Sequence, residues 1–155
     1  MKKIINLILI CFCLATATFA QLAEPGITGG NFVPNTISLG ETSMLNFSFT
    51  NSGSTSIPAG SIEVTISTTY AYYTTDGTTV PGGVGGVLFL WDYAVATDTW
   101  RGTNINDIPA FDGGNITLQV TGDNESPSFE ATNINVQIVS DFNSFSNNSG
   151  NDNLQ

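Results

Sequence analysis

The chain has 155 residues, with 3 Lys and Arg against 13 Asp and Glu and no histidine, for a formal net charge of −10. Such a length suits one domain, or one domain plus a processed segment. So few cations exclude a phosphate-neutralising nucleic-acid surface and attraction to an anionic membrane, and the absence of imidazole excludes His-dependent triads and histidine metal sites.

Residues 1–20 come first. Lys2 and Lys3 precede an apolar run from Ile4 to Leu14, and small residues follow up to Ala20. A cationic start, a short apolar stretch and small residues at −3 and −1 make a secretory signal peptide cleaved after Ala20. The apolar run is shorter than the roughly 20 residues a permanent span needs, so no membrane insertion is expected after cleavage. Cleavage removes both cysteines, Cys11 and Cys13, so the mature chain gains nothing from an oxidising compartment. The mature chain keeps Arg101 as its one cation against 13 carboxylates, a net charge of −12.

Residues 21–34 read as a leader, 35–141 as one domain and 142–155 as a polar, loosely ordered tail. Ser, Thr and Asn make up 47 of the 135 mature residues, and no window holds a helical period. Strict alternation appears instead. Leu45, Phe47 and Phe49 share one face of the first strand, and Ile62, Val64 and Ile66 one face of the next. Val87–Tyr93 is a denser apolar run, with Phe89, Trp91 and Tyr93 on one face and Leu88 and Leu90 on the other, as in a strand covered on both sides. Ala96-Thr97-Asp98 turns the chain into a strand containing Trp100. Ile116, Leu118 and Val120 alternate again, as do Ile134, Val136 and Ile138. Each alternating window predicts a half-buried antiparallel strand. Turn clusters such as Asn51-Ser52-Gly53-Ser54, Pro58-Ala59-Gly60, Asp76-Gly77 and Asp112-Gly113-Gly114 separate them. The fold class is all-β: an immunoglobulin-like antiparallel β-sandwich of about seven to nine strands.

The order of these motifs resembles a known group. A strand runs into Asn51-Ser52-Gly53-Ser54, then Ile57-Pro58-Ala59-Gly60 leads into the next strand. Later, Ile108-Pro109-Ala110-Phe111-Asp112-Gly113-Gly114 leads into the strand at Ile116. Residues 35–153 are similar to the conserved-repeat, CARDB-like immunoglobulin-like domains of large bacterial surface proteins, and the Ala20–Gln21 junction resembles those of Bacteroidetes-type secreted proteins. The resemblance implies a stalk, spacer or adhesive module and carries no catalytic residue. Unlike that group, the sequence shows a single copy of the repeat.

Two sets of side chains are candidate sites. Tyr70, Tyr72 and Trp100, with Arg101 beside the indole, could make a face on which sugars stack; Trp100, next to a turn, is expected to be its most exposed member. Asp107 and Asp112 on one loop, with Asp123 and Glu125 on another, could supply oxygens to calcium, although no contiguous calcium-loop motif is present. No other cofactor is expected. Isopeptide cross-linking is excluded because the mature chain has no lysine. The expectation is a secreted, non-enzymatic structural or adhesion module of the cell surface that holds loops such as Thr74–Gly86 and Ala94–Asp112 toward a protein or glycan. The alternatives are a lectin-like glycan binder and a strand-exchanging polymer subunit.

Overall fold

A computed structural model describes residues 22–67, 73–122, 133–138 and 153–154. Among them nine strands form two antiparallel sheets. One has the order β1-β2-β7-β4, with β1 at Pro25–Val33, β2 at Thr42–Asn51, β4 at Tyr73–Thr74 and β7 at Gly113–Gly122. The other has the order β5-β6-β3-β8-β9, with β3 at Ile62–Ser67, β5 at Phe89–Ala94, β6 at Thr99–Asn104, β8 at Asn133–Ile138 and β9 at Asn153–Leu154. The chain is an all-β sandwich, as the alternation predicts.

Period two sets the core because alternate residues of a strand point to opposite faces. Leu45, Phe47 and Phe49 of β2 and Ile116, Leu118 and Val120 of β7 are buried against Ile62, Val64 and Ile66 of β3. Their register keeps the apolar faces together: Leu45 pairs with Leu118 and Phe47 with Ile116. On the far side of β3, Ile62, Val64 and Ile66 stand opposite Ile138, Val136 and Ile134 of β8. Phe49 meets Phe89 edge to face, with ring centroids 5.2 Å apart, an arrangement the ring quadrupoles favour.

Three expectations differ from the structure. Residues 25–33, read as part of a leader, form β1 and pair along β2 from Asn51 to Met44. Gly26, Gly29 and Gly30 depress strand propensity, yet Ile27 and Phe32 reach the core and hold the segment in place. The Val87–Tyr93 run is not covered on both sides: β5 is the edge of its sheet, and Leu90 is 70% exposed. The third lies in the expected tail, where Asn153–Leu154 pairs antiparallel with Ile134–Asn135.

The free side of β7 is closed in an unusual way. Gly82 bridges Thr117 through two backbone hydrogen bonds of 2.8 and 3.0 Å, and the single helical turn α1, Gly83–Gly86, lies against the first residues of β7. A Cβ at Gly85 would stand 2.3 Å from the carbonyl oxygen of Gly114, and one at Gly83 2.3 Å from that of Asn115. Only glycine permits backbones to approach so closely. With β4 on its other end, β7 presents little unpaired backbone to solvent, which blunts strand-on-strand association.

Candidate functional site

Two crossovers carry the chain from one sheet to the other at the same end of the sandwich. The first leaves β2 at Asn51 and passes Ile57-Pro58-Ala59 into β3. The second leaves β6 at Asn104 and passes Ile108-Pro109-Ala110 into β7. They meet at an isolated antiparallel bridge, Ile57 with Ile108, closed by two 2.8 Å hydrogen bonds. Both isoleucines are at most 1% exposed.

Each crossover is held by a buried asparagine at the strand end that precedes it. Asn51 is fully buried, and its Oδ1 accepts from the amides of Glu24 at 3.0 Å and Gly53 at 3.1 Å. Its Nδ2 donates to the carbonyls of Thr55 at 2.8 Å, Pro109 at 2.9 Å and Ile108 at 3.3 Å. One amide therefore ties together the N-terminal segment, its own crossover and the neighbouring one. Asn104 does the same in the second sheet. Its Oδ1 accepts from the Ile62 amide at 3.2 Å, and its Nδ2 donates to Pro58 O at 2.7 Å and Asn106 O at 3.0 Å. Asparagine suits the position because its amide both donates and accepts without charge, and burial makes each of those bonds matter. Gly53 completes the first clamp: a Cβ there would lie 1.9 Å from the carbonyl oxygen of Leu22.

The loop so held is exposed and apolar at its tip. Phe111 is 74% exposed and adopts φ of 60°, a left-handed conformation that non-glycine residues rarely occupy. Asp112 N donates to Pro109 O, and Asn51 N donates to Asp112 O, so the turn is fixed on both sides of the aromatic. Ile105 begins the same crossover and bonds through its amide to Leu88 O at 3.0 Å, beside exposed Val87. Val84 packs next to Gly114, three residues beyond Phe111. Phe111, Ile105, Val84 and Val87 are thus exposed apolar side chains on segments brought to one end of the molecule.

The sequence-derived candidates fall elsewhere. Trp100 is only 3% exposed, so the expectation that it is the most exposed aromatic is corrected. It belongs to the inward face of β6, its ring tilted by 40° against that of Tyr93 with centroids 5.0 Å apart, and its buried Nε1 has no hydrogen-bond partner among the described residues. The neighbouring position, Arg101, is exposed on the outer face, in register with Asp92 of β5 and Thr65 of β3. Tyr70 and Tyr72 lie outside the described residues, as do Asp123 and Glu125. Asp107 and Asp112 each spend an oxygen on a turn: Asp107 Oδ1 accepts from Ala59 N at 2.9 Å, and Asp112 Oδ1 from Gly113 N at 2.7 Å. Among the described residues, no group of three or more metal-binding side chains gathers. Of the two loops expected to face a partner, Ala94–Asp112 contains β6, leaving only residues 105–112 at the clamped end, and Thr74–Gly86 runs along the side of β7.

At the opposite end, the tip of the β5–β6 hairpin is held by a carboxylate. Asp98, at φ of 44°, accepts from the Tyr93 hydroxyl at 2.6 Å and the Thr75 hydroxyl at 2.7 Å. The Asp98 hydrogen bond raises the Tyr93 phenol above its ordinary pKa, because deprotonation would set two anions against each other. Nearby, the amides of Thr79 and Thr78 hold the Asp76 carboxyl well below the usual carboxylate range.

The asparagine clamps and the apolar tip were missed in the sequence. Their signal is the repeat of Asn followed shortly by Ile-Pro-Ala, at Asn51 with Ile57 and at Asn104 with Ile108. No protein-family model and no curated protein matches the chain. Among solved structures, it is similar to one described as "The unique CBM3- of Hungateiclostridium clariflavum", at 10% identity, covering 75% of this chain and 93% of that chain with a TM-score of 0.42.

Proposed function

We propose that this chain is a non-catalytic module of the bacterial cell surface, of the conserved-repeat, CARDB-like kind, whose work is to hold one loop end rigid toward a partner. The observation that carries the reading is the pair of buried asparagines: their eight hydrogen bonds tie the N-terminal segment, the start of β3 and two crossovers into one joint. Rigidity of that kind lowers the ordering cost of binding. The pattern of residues 1–20 supports export with cleavage after Ala20, and no helix among the described residues is long and apolar enough to cross a membrane. The test is expression in a bacterial host with fractionation, N-terminal sequencing and amide exchange. The reading expects a chain beginning at Gln21 outside the inner membrane, with residues 105–113 protected. A chain that keeps residues 1–20 in the cytoplasm, or a freely exchanging 105–113, contradicts it.

A second reading, glycan binding, is favoured by one observation. Apart from Met44 and Gly113, the outward positions of β2 and β7, among them Asn46, Ser48, Thr117 and Gln119, carry amides and hydroxyls and no charge, in a chain with 13 carboxylates. Such a face suits a neutral, hydroxyl-rich polymer. Retention on neutral glycans that Ser48→Glu removes would support it, and no retention on a broad glycan array would end it.

A further inference from the structure

We infer that the clamped loop end is a docking surface for a basic-rimmed apolar site on another protein, with Phe111 as its anchor. The inference rests on the presentation reading above and names the partner's chemistry.

Backbone strain and exposure coincide at one residue. Phe111 holds a left-handed φ of 60° while leaving 74% of its surface in water. A conformation that costs free energy persists only where the surroundings impose it. Here the surroundings are the Asn51 clamp on Pro109 and the hydrogen bond from Asn51 N to Asp112 O. Among the described residues, the Phe111 ring enters neither the core cluster nor a ring pair. Glycine or asparagine would make the same turn with less strain. Val84 at 72%, Val87 at 70% and Ile105 at 50% exposure extend the apolar surface on adjoining segments. Exposed apolar side chains on adjoining segments mark a candidate contact surface, and an aromatic is the usual anchor of one.

Charge chooses the occupant. Asp107 and Asp112 lie exposed on the same loop, and the sole cation beyond Lys3 is Arg101, on the outer face of β6. A second copy of the chain would bring Asp107 and Asp112 against their own images with no cation at either tip. Nucleic acid and anionic lipid are repelled by the same carboxylates. The complement is an apolar pocket or groove rimmed by lysine or arginine, which would take the Phe111 ring into its centre and the two carboxylates at its edge.

The test is an NMR titration of the 15N-labelled chain with a peptide of alternating lysine and leucine. A lysine–serine peptide and a glutamate–leucine peptide serve as controls. The expected result is shifts confined to residues 84–88 and 105–113 with the lysine–leucine peptide alone. Phe111→Asn should weaken that binding about tenfold while raising thermal stability, and Asp107→Asn, which keeps the acceptor for Ala59, should weaken it less. Equal binding of the lysine–serine peptide, shifts spread over Asp76 and Asp98, unchanged affinity in Phe111→Asn, or no binding would overturn the inference. Phe111-dependent self-association in light scattering would also overturn it, in favour of a second copy. Loss of binding with residues 105–113 still protected from exchange defeats this inference alone. Loss of that protection defeats the presentation reading as well.

Discussion

A buried amide with every hydrogen-bonding group engaged is worth more than its size suggests, because removing it strands its partners. Asn51→Ala leaves the Glu24 and Gly53 amides and three carbonyls seeking water inside the protein. Each stranded group costs about 1–3 kcal/mol, so a net loss of about 3 kcal/mol or more is expected. Chemical denaturation should show that loss for Asn51→Ala, a smaller one for Asn104→Ala, and a change within about 0.5 kcal/mol for Ser48→Ala on the outer face. Phe111 is predicted to behave in the opposite sense. Phe111→Asn should stabilise by about 0.5–1 kcal/mol, read as a raised melting temperature, because asparagine tolerates positive φ. The strand faces were legible in the sequence because burial imposes period two on residues such as Leu45, Phe47 and Phe49. Asn51 was legible only as a turn residue. Asparagine in a solvated turn and asparagine as a buried clamp look alike until the crossover from Ile108 is folded against it. Trp100 misled for the same reason: a tryptophan beside a turn and a cation reads as a surface residue, yet its place in the alternation with Arg101 puts the indole inward.

At the scale of elements, the sandwich depends on how its strand edges and crossovers are closed. α1 seals the free side of β7 because Gly83 and Gly85 put no side chain between the two backbones. Gly85→Ala should force α1 away from Gly114 and open the edge. The expected outcome is a monomer that folds but aggregates faster on mild heating, followed by light scattering. Unchanged aggregation would show that α1 does not guard that edge. Asn51-Ser52-Gly53 and Ile108-Pro109-Ala110 are the two halves of one joint. The segment read as a leader joins the same joint, because the Glu24 amide bonds to Asn51 and Ser52 N donates to Glu24 O. Few apolar residues mark β1 in the sequence, and long-range pairing with β2 decides its state.

For the whole molecule, charge sets the pH range of the fold. Tyr93 has a raised pKa when folded, so its contribution is complete below its ordinary value of 10.0 and is lost as pH climbs through the higher folded value. Stability should decline above about pH 10, and Tyr93→Phe, measured by denaturation across that range, should flatten part of the decline. Asp76 acts in the other direction: its depressed folded pKa gives a contribution present above the ordinary carboxylate range and lost only in strong acid. A chain with 13 carboxylates and one cation beyond Lys3 has a largely polar surface, and Phe111, Ile105, Val84 and Val87 add exposed apolar side chains at the clamped end. Amide hydrogen exchange of Ile57 and Ile108 reads the rigidity of the clamped end. Both amides should exchange only through global unfolding, as slowly as those of Phe47 and Ile116, and Asn51→Ala should speed them far more than it speeds the strands. Exchange at Ile57 and Ile108 as fast as in an open loop, in the unaltered protein, would contradict that rigidity.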